Sequence, residues 1–170
     1  DAWRAGLAVD GRSMDDAARF HAAVEVRVLT PGSEAGVPVD VIAALTRPPA
    51  LLAGDAEGLR EYVTGCVGAL LGLVGRASDP LNDPAAILLA RLYGDAFARG
   101  EALALDRLIP AVVDPPFDHL GYLPVETFLP RPDRVELAKD LNTIVASPAF
   151  AAWRGGAPLD VGAWFTVGER

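Results

Sequence analysis

The sequence predicts a mainly α-helical fold with one or two short β-strands near its N-terminal third. Apolar residues recur at helical spacing through much of the chain, most clearly over 55–74. Apolar and charged residues alternate over 24–29, which is typical of a half-buried strand. A length of 170 residues fits one domain. We expect a single domain over 1–170, with a helix–strand–turn region over 1–46 and a helical region over 47–170.

Two short helices are predicted at the start of the chain. The first covers 1–10 and ends at Gly11. The second begins after Ser13, because Ser13 and Asp16 have the spacing of a capping box, in which each side chain binds a backbone N–H near the other residue. This second helix is expected to end near Phe20.

The strand predicted over 24–29 is followed by a turn and a second extended segment. The turn is Thr30-Pro-Gly-Ser33, with the order of Pro and Gly that a type II turn prefers. A single strand is marginal, because its backbone N–H and C=O groups need a partner. Only the short extended segment predicted over 37–45 could supply one within this chain. The sequence therefore indicates that a larger sheet lies outside it.

The helix predicted over 55–74 carries glycines on the side opposite its apolar stripe. These glycines are Gly58, Gly65, Gly68 and Gly72. Each interior glycine costs a helix about 0.8–1.0 kcal/mol relative to alanine, so the four together cost roughly 3–4 kcal/mol. Close approach of a second backbone would offset that cost. We expect a central helix contacted on both faces; a groove that faces a ligand is the alternative.

The rest of the chain is predicted to be helical with one irregular region. Pro110 is expected to break or bend its helix, because proline lacks the N–H that a helix interior needs. The predicted elements are a helix from 80–84 to 99, a helix over 105–113, an ordered loop over 114–131, a helix over 132–146, a short helix after Ser147-Pro148, and a short apolar segment over 159–165.

Composition excludes several classes of function. The 15 basic and 23 acidic residues give a net charge of −8, the wrong sign for a surface that binds nucleic acid directly. One cysteine and two histidines make a disulfide framework or a zinc site implausible. The longest span-like stretch, 62–75, is shorter than the roughly 20 residues that cross a membrane. We expect a cytoplasmic chain that, lacking an initiator methionine, is processed or belongs to a larger protein.

No nucleotide-binding or catalytic motif is recognisable. Lys139 is the only lysine and does not follow a glycine-rich turn, so the sequence has no Walker A motif. Cys66 lies on the apolar stripe of its helix, as expected for a packed hydrophobic residue rather than a nucleophile. We assign no catalytic, cofactor-binding or metal-ligating residue.

The segment most suggestive of chemistry is Asp114-Pro-Pro-Phe-Asp118-His119. We consider Asp114, Phe117, Asp118 and His119 a candidate interaction loop. Two carboxylates and an imidazole could also act as acid and base in a small hydrolase. A rigid turn is the structural alternative, because Asp before Pro is common in turns and no nucleophile accompanies the cluster.

Three stretches of the sequence resemble one family when taken together. They are 26–39, then 114–121 with 126–130, and finally Arg134-x-Glu-Leu-Ala-x-x-Leu-Asn142 with 146–153 and 157–160. In this order and spacing they resemble bacterial ATP-binding proteins of the HerA/FtsK-type ATPase superfamily, which are hexameric, helicase-like or DNA-pumping motors. The resemblance runs from about Trp3 to the end, and its last stretch is the most distinctive.

The resemblance implies a position inside a larger motor, between its Walker A and Walker B motifs. The predicted strand would then belong to the edge of a RecA-like sheet, and 47–170 would form a helical insertion subdomain. ATP and Mg²⁺ would be cofactors of the parent protein, bound by residues outside these 170 positions. The implied partners are the rest of the parent ATPase and the neighbouring subunits of its hexamer.

A second interpretation is open. A freestanding, non-enzymatic helical module for protein interaction would have the same composition. A glycine-rich lysine motif upstream in the reading frame, and an acidic strand end downstream, would distinguish the motor from the freestanding module.

Overall fold

Helices form most of the described structure, so the mainly α fold class is confirmed. The computed structural model describes residues 2–151, 153 and 155–158. Two short 3₁₀ helices, Ala43–Leu45 and Ala50–Leu52, precede the third α-helix. The α-helices are α1 (Ala2–Val9), α2 (Met14–Ala23), α3 (Ala56–Leu73), α4 (Pro84–Ala98), α5 (Leu105–Val113), α6 (Val125–Phe128), α7 (Arg131–Ala146) and α8 (Pro148–Ala151).

Two pairs of very short strands accompany these helices. β1 (Val39–Asp40) pairs in parallel with β4 (Ala157–Pro158), so that the last described residues lie beside the segment before the first 3₁₀ helix. β2 (His119–Leu120) and β3 (Leu123–Pro124) form an antiparallel hairpin before α6. β1 is a short strand within the N-terminal third, as the sequence predicts.

The core lies between α3, α4, α5 and α7. α3 packs on α4, while α5 contacts both α4 and α7. Their apolar stripes supply side chains without solvent exposure: Leu70, Leu71, Leu88, Leu89, Leu108, Val112, Leu137, Leu141 and Ile144. Truncating one such leucine to alanine costs roughly 2–5 kcal/mol, because it removes buried contacts and leaves a cavity.

Local sequence signals explain where several helices begin and end. Ser13 and Asp16 form the predicted capping box at α2. The Asp55 carboxylate accepts hydrogen bonds from the N–H groups of Glu57 and Gly58 at the start of α3. Gly75, with φ of +74°, follows the end of that helix.

The prediction of a strand over 24–29 is wrong: this segment does not form a strand in the described structure. Only Leu29 forms a β-bridge, with Val37, and residues 24–28 have no regular secondary structure. The predicted extended segment over 37–45 is a strand only at β1 and then turns into a 3₁₀ helix. It therefore cannot supply the ladder of hydrogen bonds that 24–28 requires.

The expectation that α3 is contacted on both faces is met in the described structure only near the start of the helix, where a methyl group at Gly58 would lie 2.9 Å from Leu52 Cδ2. α4 and α7 pack on the side of Val63, Cys66 and Leu70. A methyl group added at Gly65, Gly68 or Gly72 would meet no atom within 4 Å. Part of the glycine-rich face is therefore open to solvent.

Two details of the second half also differ from the sequence-based expectation. α5 continues through Pro110 to Val113, and the burial of Leu108 and Val112 on either side of the proline holds it in the core. The loop predicted over 114–131 contains the β2–β3 hairpin and α6. The apolar segment predicted over 159–165 lies outside the described residues.

Candidate functional site

The loop between α5 and α7 is anchored at its start by an ion pair. The Arg131 guanidinium donates from both terminal nitrogens to the Asp114 carboxylate, across 17 positions of sequence. These hydrogen bonds lower the pKa of Asp114 below its ordinary value. Asp114 therefore joins the end of α5 to the start of α7.

A second arginine of α7, Arg134, also binds a residue of this loop. Arg134 is 5% exposed, and its Nη2 donates to Glu126 Oε2 at 2.9 Å. Glu126 Oε1 also accepts from the backbone N–H of Arg131 at 3.1 Å. The carboxylate of Glu126 thus lies at the N-terminus of α7, where the helix dipole favours a negative charge. Arg134 Nε is buried, and no described residue accepts a hydrogen bond from it.

The other residues of the predicted interaction loop do not converge on one point. The Phe117 ring lies under the Arg91 guanidinium, 5.1 Å from ring centroid to Cζ, and packs against the core. His119 is exposed at the start of the hairpin, where it faces Pro124. Asp118 is also exposed, and its backbone carbonyl accepts a hydrogen bond from Val125.

This arrangement favours a structural role for the loop. One of the two candidate carboxylates, Asp114, is bound to an arginine, and Phe117 is partly buried. Asp114 pairs with Arg131, and among the described residues no hydrogen bond joins Asp114 or Asp118 to His119. No group of three or more described metal-ligating side chains is placed to hold a metal ion.

Sequence reasoning missed the hairpin that this loop presents. Gly121 has φ of +59° at the first central position of the two-residue turn, as in a type II′ hairpin. The next residue, Tyr122, is fully exposed, and Leu123 is about half exposed. The run Leu120-Gly-Tyr-Leu123 could have indicated the turn, because glycine adopts the positive φ that such a turn requires without steric cost.

Cys66 lies in a buried aromatic cluster and not at a reactive surface. It is 2% exposed, and burial raises the pKa of its thiol to about 11. Its neighbour Tyr93 is equally buried and contacts Phe97 in a tilted arrangement, with 5.3 Å between ring centroids and 53° between ring planes. A thiol held in its neutral form is a poor nucleophile, so Cys66 acts as a packed apolar side chain.

The N-terminal arm, which we define as residues 2–28, carries most of the exposed large hydrophobic residues of the described structure. Neither α1 nor α2 contains a buried residue. Of the eleven large hydrophobic residues that are exposed in the described part of the chain, seven belong to this arm: Trp3, Val9, Met14, Phe20, Val24, Val26 and Val28.

The last five residues of this arm have one apolar and one charged side. Glu25 and Arg27 form an ion pair, with 2.7 Å between Arg27 Nε and Glu25 Oε1, which places their side chains together. Val26 and Val28 are 76% and 66% exposed. Val24 has the extended backbone angles φ −120° and ψ 127°. Segment 24–28 therefore has the side-chain pattern of a strand without the sheet.

No described helix combines the length and apolar character required to cross a bilayer. Comparison of the chain with protein-family models, with curated proteins and with solved structures gives no match.

Proposed function

We propose that this chain is the helical subdomain of a HerA-type ATPase, a DNA translocase or helicase-like motor. In this proposal it has no catalytic role of its own. It packs on the nucleotide-binding core of the motor, or on a neighbouring subunit, through the N-terminal arm. In this proposal the arm attaches the helical core, formed by α3, α4, α5 and α7, to the rest of the motor.

The exposed apolar surface of the arm is the observation that carries this proposal. Scattered single apolar residues are normal on a protein surface, whereas seven within 27 consecutive residues are a signal of a protein contact. Burying one valine or phenylalanine side chain contributes roughly 1.5–3 kcal/mol. Burial of the arm in a partner would therefore stabilise the complex substantially.

Segment 24–28 indicates the kind of partner that the arm requires. Its apolar and charged side chains alternate along the backbone. Among the described residues, the segment accepts a backbone hydrogen bond only at its last residue, where the Val28 carbonyl accepts from the Val37 N–H. Addition to the edge of a sheet would satisfy the remaining backbone groups and cover Val24, Val26 and Val28. The RecA-like sheet implied by the family resemblance is such a partner.

The charge of the chain supports a role in packing rather than in holding DNA. With a net charge of −8, its field repels a phosphate backbone. We propose that DNA, ATP and Mg²⁺ are bound elsewhere in the motor, and that this subdomain contacts protein.

The first test is the reading frame that encodes this chain. We expect a glycine-rich lysine motif upstream and a strand ending in an acidic residue downstream. A reading frame without them would contradict the motor and leave the freestanding module.

The second test changes the arm in the protein that this reading frame encodes. Val26→Asp places a charge at the proposed contact, and Leu81→Asp is the matched control, since Leu81 is 82% exposed outside the arm. We expect Val26→Asp to lower the melting temperature and the ATPase rate of the whole protein, whereas Leu81→Asp leaves both near wild type. Equal effects of the two variants would contradict docking through the arm.

The freestanding interaction module is the second candidate, and Tyr122 favours it. Tyrosine is enriched in protein interfaces, and this one projects fully exposed from a hairpin anchored on the core. In that case Tyr122→Ala would abolish binding to a partner protein, and Val26→Asp would not.

A further inference from the structure

We draw no further inference here: the strongest candidate, the solvent-open small-residue face of α3 at Gly65, Gly68 and Gly72, carries nothing because no contact in the described structure shows what covers it.

Discussion

Gly65 and Gly68 show what a single residue can contribute to this helical core. Both lie inside α3, where alanine reduces the freedom of the unfolded chain and favours the helix. A methyl group at either position would have open space around it. We predict that Gly65→Ala and Gly68→Ala each raise the free energy of unfolding of this chain by roughly 0.5–1 kcal/mol, measured by urea denaturation.

Gly75 is the matched control for these substitutions. Its φ of +74° suits glycine and costs other residues about 1–2 kcal/mol, so Gly75→Ala should lower the free energy of unfolding. A loss of stability on Gly65→Ala or Gly68→Ala would show that α3 needs glycine within the chain itself. If both substitutions instead raise the stability of the chain, its own fold does not require glycine at these positions, and contact with another protein remains as a reason for glycine there.

The ion pair of Asp114 with Arg131 predicts how the stability of the fold depends on pH. Its pKa is lowered in the folded state by hydrogen bonds from Arg131, so its ionised form stabilises the fold above the ordinary pKa of aspartate. This contribution disappears as the pH falls through the lower, folded-state pKa. We predict that Asp114→Asn lowers stability at pH 7, and that the difference from wild type shrinks as the pH falls below the ordinary aspartate pKa of about 4.

The measurement is denaturant unfolding at several pH values, with Asp118→Asn as the control. Asp118 lies in the same exposed loop, and no ion pair of its side chain occurs in the described structure. A constant difference between Asp114→Asn and wild type across this pH range would show that the ion pair with Arg131 does not form in solution.

The connection between helices α6 and α7 depends on the Glu126 side chain. Its carboxylate accepts from buried Arg134 and from the first N–H of α7. Glu126→Ala would leave the Arg134 guanidinium without that partner, and an unsatisfied buried group costs roughly 1–3 kcal/mol. We predict a loss of this size in the free energy of unfolding.

Glu136→Ala is the control for Glu126→Ala, measured in the same denaturation experiment. Glu136 lies on the exposed side of α7, with its Oε1 3.7 Å from Arg76 Nη2. An exposed pair of this kind contributes little, so its loss should change stability by less than about 0.5 kcal/mol. Equal losses in the two variants would contradict the anchoring role of Glu126.

The helices could be predicted from sequence because their signals are local. Apolar spacing and caps such as Ser13 and Asp55 act within one or two turns, and tertiary packing agrees with them. The strand over 24–29 could not be predicted correctly, because a strand depends on a partner that its own residues do not specify. The side-chain pattern there is that of a strand, but among the described residues only Leu29 forms a β-bridge.

The candidate loop shows a second limit of the sequence. Asp114 and Phe117 could be identified as unusual, but their contacts are with Arg131 and Arg91, which are distant in sequence. The predicted helix that ends at 99 contains Arg91 and the predicted loop over 114–131 contains Arg131, but neither prediction indicates which side chain each arginine contacts. The hypothesis of acid–base chemistry followed from sequence proximity, whereas in the fold Asp114 pairs with Arg131 and both Asp118 and His119 are exposed.

The whole molecule consists of a packed helical core and an arm that adds little to it. No residue from 2 to 38 is buried, whereas α3, α4, α5 and α7 each contribute several buried side chains. Stability should therefore reside in the core, and the arm is free to bind a partner at little cost to the fold. This division agrees with a subdomain that is attached to a larger protein through one end.

The proposed place in a motor gives a final prediction for the whole chain. A ligand stabilises a protein only if the folded state binds it, and in the proposed motor the nucleotide-binding residues lie outside these 170 positions. We predict that millimolar Mg²⁺-ATP leaves the melting temperature of this chain unchanged, while it raises that of the complete protein. A clear rise for this chain alone would show that it contains a nucleotide site, and the packing role proposed here would then be wrong.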